Sequence, residues 1–510
     1  MQRLLPFALL LALGSPVTSV TAVERPNILL IVADDLGFSD AGAYGGEIST
    51  PNIDQLAAEG LQFTNFHVAA TCSPTRSMLM TGVDNHLVGM GNMKEIMADN
   101  QKGQPGYEGW LNDSVVTLPS LLQDAGYSTY MAGKWHLGGR PQSQPVARGF
   151  DRSFALMESG ADNWEAKHYL PGGTATWLED GAPVDLPDNF YSSFTYADKL
   201  ISYIDGGRAQ GKPFFGYLAF QAVHAPHQVP EEYIEGYQSL YAAGWDQIRA
   251  DRYQRQLASG LLPDSGENPV TDDWGTFYQR THIDWDSLGD DEKAYRSRQM
   301  AVFAGMAEAM DQSIGKVIRY LKDSGQYDNT LILFMSDNGG VSKFWKGGMR
   351  GNKGSVYEGG IRVAAAMRWP GAIPAGKKSS QLMSVMDLFP TLIEAAGIER
   401  GKAKPFDGRS VWPAIKDGKK VGRDGLVIAS PQEIAVLRDK WKYIRSGQED
   451  SQRAPRLFDV VKDPGETTDL AGEKPDLVGE LDKATREFLP MMANVATRGR
   501  GPGGSRSRRG

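Results

Sequence analysis

The 510-residue chain contains one cysteine, Cys72, so it cannot close a disulfide within itself. A paired-thiolate metal site is excluded by the same count. Long apolar runs are missing as well. Residues 4–13 are mostly apolar but too few to span a bilayer, and no other stretch approaches the 18 residues a crossing helix needs. Nor is there an excess of positive charge: 54 Lys and Arg stand against 62 Asp and Glu, a formal net charge of −8. Five of those Arg lie in the last 14 residues, so the rest of the chain stands at 49 against 62, or −13. Such a body has no basic stripe with which to displace counterions from a nucleic-acid backbone. Internal repeats are absent too. What is present, 41% hydrophobic and 23% charged residues over this length, is enough for one large core and a smaller appendage.

Residues 1–22 read as a secretory leader. Arg3 opens it, the apolar run follows, and Val20-Thr21-Ala22 offers a small-residue cleavage site. The mature chain is expected to start near Val23 and to be exported, to periplasm or medium, with no membrane attachment. The tail from 491, largely Gly, Ser and Arg toward its end, is expected to be solvated and disordered. A lone thiol in an oxidising compartment is either buried and inert or chemically used.

Four short apolar runs bounded by turn residues have the pattern of strands buried on both faces: residues 27–33 (NILLIVA), 127–132 (YSTYMA), 214–220 (FFGYLAF) and 331–335 (LILFM). Each leads into polar residues: Asp34-Asp35, Lys134 and His136, His224 and His227, and Asp337-Asn338. Helical patterns alternate with them, at 51–59 behind an N-capping Thr50, at 118–125, and at 293–324. The last carries Met300, Phe303, Ala307, Met310, Ile314, Val317 and Leu321 at three- and four-residue steps, a core stripe. The alternation predicts an α/β fold with a large, mostly parallel central sheet between helices, binding ligands outside the carboxyl ends of its strands. Past 425 the pattern turns to short alternating strands and a closing helix at 477–488, predicting a small antiparallel sheet. The expected division is leader 1–22, catalytic domain 23–425, C-terminal subdomain 426–490 and tail 491–510. Residues 228–293, with Trp245, Trp274 and Trp285, show little regular pattern and read as a lid or rim in which each Trp packs.

Asp34, Asp35, Asp337 and Asn338 offer oxygen donors only, which suits a hard divalent cation, Ca²⁺ or Mg²⁺. Around them fall Arg76, Lys134 and Lys353, with His136 and His224. A dication with several fixed positive groups is what a tetrahedral oxyanion requires, so the reaction class is sulfuryl or phosphoryl transfer.

The run Cys72-Ser73-Pro74-Thr75-Arg76, followed by Leu79-Met80-Thr81-Gly82, resembles the C-x-P-x-R maturation signature of the type I sulfatases, members of the alkaline phosphatase superfamily. The resemblance extends through residues 25–488 in order. It takes in the GKWHLG segment at 133–138, the segment 222–230, Ser336 to Gly339, and Lys353 with Tyr357-Glu358-Gly359-Gly360-Ile361-Arg362. It is strongest toward bacterial arylsulfatases, through Tyr107-Glu108-Gly109, Leu118-Pro119 and Ala147-Arg148-Gly149-Phe150. The resemblance implies that a formylglycine-generating enzyme converts Cys72 to formylglycine, whose hydrate attacks sulfur to give a sulfo-enzyme intermediate. Carried over, Asp34, Asp35, Asp337, Asn338 and the modified Cys72 would bind Ca²⁺, with Mg²⁺ second. Arg76 and Lys134 would hold the diol and sulfate oxygens, and His136 would take the proton of the second hydroxyl. Asp337 would also orient the attacking hydroxyl, while His224 and Lys353 would contact sulfate and protonate the leaving oxygen. His227 matches no catalytic position. Only 14 residues separate Asn338 from Lys353, where some relatives carry a longer insertion.

The implied activity is hydrolysis of small sulfate esters, aryl esters first. Rival readings are a phosphonate monoesterase or phosphodiesterase of the same superfamily and a sulfated-carbohydrate desulfatase. From other classes come a cysteine hydrolase using Cys72 as thiolate and a sulfate-ester binding protein without turnover.

Overall fold

The computed structural model describes residues 25–171, 173–264, 283–341, 348–401, 405–448 and 451–493. The leader, most of the tail and Trp274 lie outside the described residues. Ten strands form the main sheet: β1 (Asn27–Ala33), β2 (Leu61–Phe63), β3 (Ser128–Lys134), β4 (Arg152–Leu156), β5 (Trp177–Glu179), β6 (Ala182–Pro183), β7 (Phe214–Ala219), β8 (Thr330–Ser336), β9 (Ala365–Arg368) and β10 (Lys377–Ser379). They lie in the order β10-β2-β9-β8-β1-β7-β3-β4-β5-β6. The middle five, β8 to β4, run parallel, while β9 and the β5-β6 end pair antiparallel. These middle strands are buried on both faces, which is why they read as continuous apolar runs instead of alternating ones.

Alternate residues of β1 feed two separate cores. Ile28, Leu30 and Val32 face the layer holding α2 (Cys72–Thr81) and α3 (Leu118–Asp124). Leu29, Ile31 and Ala33 face the layer holding α1 (Pro51–Glu59), α4 (Ser192–Gly207) and the long α7 (Asp290–Asp323). The stripe from Met300 to Leu321 is buried in this second core, as its spacing predicts. Register levels the strand ends: Val32 and Gly133 both stand opposite Ala219, and Ala33 opposite Ser336. The residues that follow each strand therefore emerge along one rim.

Two local expectations need correction. Thr50 precedes α1 but does not cap it with its side chain; its hydroxyl accepts from Gly42 N at 2.8 Å and donates to Asp54. The first-turn amides of Asn52 and Ile53 are instead taken by the Asp311 carboxylate of α7, at 3.1 and 2.9 Å. The 228–293 segment is also more regular than its sequence suggests. It contains α5 (Glu235–Tyr241) and α6 (Trp245–Ala258), and buried Trp245 and Trp285 meet edge to face at 4.8 Å. The apolar positions of α5 and α6 are too sparse to show the helical period, because much of their buried face is Arg, Gln and Tyr.

The C-terminal strands, β11 (Leu426–Ala429), β12 (Glu433–Arg438), β13 (Trp441–Ser446) and β14 (Arg456–Asp459), form an antiparallel sheet. One face adds Leu426, Ile428, Ala435, Leu437, Ile444 and Phe458 to the first core; the other packs under the helix Pro475–Lys483 through Tyr443, Leu457 and Leu481. No described helix is long and apolar enough to cross a membrane.

Candidate active site

Strand β1 ends at Ala33, so Asp34 and Asp35 stand at the rim; β8 delivers Asp337 and Asn338 beside them. Asp34 N–H donates to Ala222 O and Asp337 N–H to Ala33 O, at 2.9 and 3.0 Å, which fixes both turns to the sheet. Asp35 takes a left-handed φ of 64°, a strained setting for a residue with a side chain and one that clusters at functional sites. Cys72 is the first residue of α2, fully buried, and its thiol donates to Asp34 Oδ1 at 3.5 Å. Donor atoms of Asp34, Asp35, Cys72 and Asp337 all fall within 4.8 Å of one another. Asn338 donates its amide to Asp35 Oδ1 at 2.7 Å, and its Oδ1 is buried without a hydrogen-bond partner. Three carboxylates, one unsatisfied amide oxygen and the residue-72 side chain, all buried, suit an oxygen-ligated dication.

The cations close around this group. Arg76, one turn along α2 from Cys72, reaches Asp337 Oδ2 through Nε at 2.9 Å and Nη2 at 2.8 Å, and donates to Lys134 O at 2.8 Å. Lys134 meets Asp34 Oδ2 at 2.5 Å, and Lys353 meets Asp35 Oδ1 at 2.6 Å. Burial alone would raise the Asp34 and Asp35 carboxyls, but Lys134, His224 and Arg76 outweigh it for the one, and Lys353 and His224 for the other; both are held below the ordinary carboxylate range. Burial would lower the two lysines, yet these same carboxylates hold both above the usual ammonium range. Burial and the adjacent Asp34 charge push the Cys72 thiol well above its ordinary value. With no ion beside it, burial and Asp34 disfavour the thiolate that a cysteine hydrolase would need.

Gly133 lets β3 approach: its φ is 120°, and a Cβ there would sit 1.9 Å from Ala219 O. His224 follows β7 and donates Nδ1–H to Ala225 O at 2.6 Å, turning Nε2 toward Asp35 at 3.8 Å. Burial and the Lys353 charge lower it to about 4. Tyr169 lies edge-on to its ring at 5.0 Å. His136, also at a left-handed φ (55°), stands beside Lys134 and Arg76, but its ring is held by Glu95, 3.3 Å from Nε2. His227 packs edge to face on Phe303, with ring centroids 5.6 Å apart.

Thus the strand ends bring together Asp34, Asp35, Cys72, Arg76, Lys134, His224, Asp337, Asn338 and Lys353, with His136 one step outside. Glu95 and Tyr169 escaped the sequence reading. Glu95 sits in a single 3-10 turn (Lys94–Ile96) and Tyr169 outside helix and strand, so neither shows a periodicity and only the folded contact marks it.

A family model described as Sulfatase matches residues 26–398, and one described as N-sulphoglucosamine sulphohydrolase, C-terminal, matches residues 351–487. The chain is 38% identical to an uncharacterised sulfatase of Schizosaccharomyces pombe, covering 90% of this chain and 92% of that one. It is 34% identical to an arylsulfatase of Klebsiella aerogenes, over 74% and 88%. Among solved structures, Ps i-CgsB in complex with k-i-k-neocarrahexaose superposes with a TM-score of 0.69 at 27% identity, covering 92% of this chain and 94% of that chain. With a matched model over most of its length and carboxylates, cations and Cys72 gathered at one rim, the chain belongs to the sulfatase family of the alkaline phosphatase superfamily, the sulfuric ester hydrolases.

Proposed function

We propose that the protein is an exported arylsulfatase-type enzyme, hydrolysing small sulfate esters through formylglycine at position 72 with one Ca²⁺. The observation that carries this reading is the setting of Cys72: a buried thiol, held neutral, at the start of a helix, hydrogen-bonded to one of three clustered carboxylates. Burial and the neighbouring carboxylates disfavour a thiolate there, whereas a hydroxyl nucleophile can be oriented by those carboxylates. Asp34, Asp35, Asp337 and Asn338 would hold the ion with residue 72, and when bound it supplies charge neutralisation at the sulfate oxygens. A crowded all-protein oxygen cage favours Ca²⁺ over the smaller, stricter Mg²⁺.

The chain's own residues do the rest. Arg76 bridges Asp337 and the end of β3, so the helix carrying residue 72 and the carboxylate that orients its attacking hydroxyl are locked together. Lys134 pairs with Asp34 and Lys353 with Asp35, where both would contact the sulfate. One hydroxyl of the residue-72 hydrate attacks sulfur and expels the alcohol. The other gives up its proton as the ester collapses to the aldehyde and sulfate leaves, an exit that a serine lacks.

A carbohydrate sulfate is the second reading, favoured by the likeness to Ps i-CgsB, a protein solved with a neocarrahexaose. One preparation tests both. The residue-72 peptide should have the mass of formylglycine, turnover should be lost in Cys72→Ser and on removal of the ion, and nitrophenyl sulfate should be cleaved faster than matched phosphate, phosphonate and sulfated-galactose substrates. Full activity with an unmodified thiol would sink the formylglycine assignment. Preference for the sulfated sugar would transfer the enzyme to the second reading.

A further inference from the structure

The two ring nitrogens of His136 meet different surroundings. Nε2 faces Glu95, 3.3 Å from Oε1 and 3.4 Å from Oε2, while Nδ1 is buried with no hydrogen-bond partner among the described residues. A carboxylate only accepts, so in the neutral ring Nε2 carries the proton and Nδ1 keeps its lone pair. The ring is also anchored from its chain neighbours. Trp135 N–H donates to Leu156 O at 2.8 Å and its indole N–H to Ser143 O at 2.7 Å, so the backbone entering His136 has little freedom. Glu95 approaches from the outer side, its side chain a quarter exposed against 7% for His136.

Charges of both signs act on His136. Lys134 and Arg76 belong to the site; Glu95 pairs with Nε2, and Lys94, Arg140 and Glu158 line, with His136 and Glu95, a cavity of about 350 Å³. Burial and the two site cations hold His136 below the ordinary imidazole range, and the Glu95 charge pulls the other way. Against its own burial, Glu95 is held below the ordinary carboxylate range by His136, through charge and hydrogen bond, and by Lys134, so it is ionised at neutral pH.

We propose that Glu95 is a positioning residue for His136, fixing the Nε2–H tautomer so that Nδ1 accepts the proton when sulfate is released. The role in release rests on the formylglycine reading above. In that step the free hydroxyl of residue 72 loses its proton to Nδ1, and the O–H electron pair becomes the second bond of the aldehyde C=O. The bond from that carbon to the sulfate oxygen breaks, its electrons leaving on sulfate. Glu95 keeps its charge throughout and offsets the imidazolium, which returns its proton to solvent before water rehydrates the aldehyde.

The test uses full-length protein labelled with ¹⁵N-histidine, the His136 signals being identified by their loss in His136→Gln. Wild type should show the neutral Nε2–H form. Glu95→Ala should show a mixture of tautomers, and in both Glu95→Ala and the isosteric Glu95→Gln the titration of His136 should move to lower pH by about one pH unit, because a nearby negative charge is gone. In turnover, Glu95→Ala should lose about ten- to a hundredfold in kcat with KM changed less than about threefold, and Glu95→Asp should recover part of it. An unchanged tautomer and titration in Glu95→Ala, with Glu95→Gln agreeing, would overturn the proposal. The spectrum does not depend on turnover, so a wild type inert on sulfate esters counts against the proposed function and leaves the Glu95–His136 pairing to be judged on its own.

Discussion

His224 and Lys353 both border Asp35, and the proposed reaction would draw the proton for the departing oxygen from one of them. They differ in what they have to give. His224 has Nδ1–H committed to Ala225 O, so only Nε2 can meet substrate, and burial with the Lys353 charge disfavours its protonated form. Lys353 is held charged by Asp35 and its neighbours. Breaking the ester puts negative charge on the leaving oxygen, and a positioned acid matters most when that oxygen is most basic. His224→Ala should lower kcat/KM about ten- to a hundredfold with nitrophenyl sulfate and more with phenyl or alkyl sulfate, steepening the dependence on leaving-group pKa. A slope unchanged in His224→Ala but steepened in Lys353→Ala would assign the acid to Lys353.

At the level of elements, α1 shows a cap supplied from far along the chain. Pro51 has no amide hydrogen, and the next two amides are satisfied by Asp311, 259 and 258 residues away on α7. Asp311 thus ties two helices of one layer together. Its carboxyl is raised from 3.8 to about 6, by burial first, against the hydrogen bonds from Ile53 and Asn52. With the folded value above the unfolded one, the native state binds a proton that the unfolded chain releases between roughly pH 4 and 6, so this group's contribution to stability grows as pH falls through 6. Asp311→Ala should cost about 1–3 kcal/mol at pH 7, by the loss of the cap. In urea melts the gap between wild type and variant should widen by on the order of 1 kcal/mol at pH 5. A gap that narrows toward pH 5 would show the carboxylate, not the acid, to be the native form.

Across the whole molecule, the C-terminal sheet braces the loop that carries Lys353. Lys442 of β13 is fully buried and meets Glu358 and Glu466, each at 2.9 Å; Glu358 also takes His67 at 3.2 Å, and its amide donates to Glu466 at 2.7 Å. Glu358 lies five residues past Lys353, in the segment whose Gly354 amide donates to Ala70 O, two residues before Cys72. Burial first, then the Glu358 charge, raises Glu466 to about 7 despite Lys442. Lys442→Met would leave buried Glu466 without its cation beside Glu358, which keeps only His67 and Arg362, and should cost about 3–5 kcal/mol, seen as a lower Tm with a larger loss at alkaline pH. Adding Glu466→Gln should return part of it. Lys440→Ala, which removes a partly exposed pair with Asp459, should move Tm little. Equal losses in Lys440→Ala and Lys442→Met would deny the network its bracing role.

The strands that carry the site are readable in the sequence because burial on both faces demands largely apolar runs, and the polar groups gather where the strands end: Asp34 after β1, Lys134 closing β3, Asp337 after β8 and His224 a few residues past β7. The Cys72 to Arg76 signature is equally local, a helix opening that sets a side chain and its guanidinium partner one turn apart. The Met300 to Leu321 stripe follows from the helical period alone. Partners chosen by three-dimensional approach leave no such trace. Glu95 reaches His136 across 41 residues, Asp311 caps α1 across 258, and Lys442 enters the Glu358 network across 84. Each is a single charged residue in a segment whose own pattern demands nothing of it. The sequence therefore determines which groups stand at the strand ends, through burial and period. Which further charges orient and brace them is decided only when the chain packs and each buried polar group must find a partner.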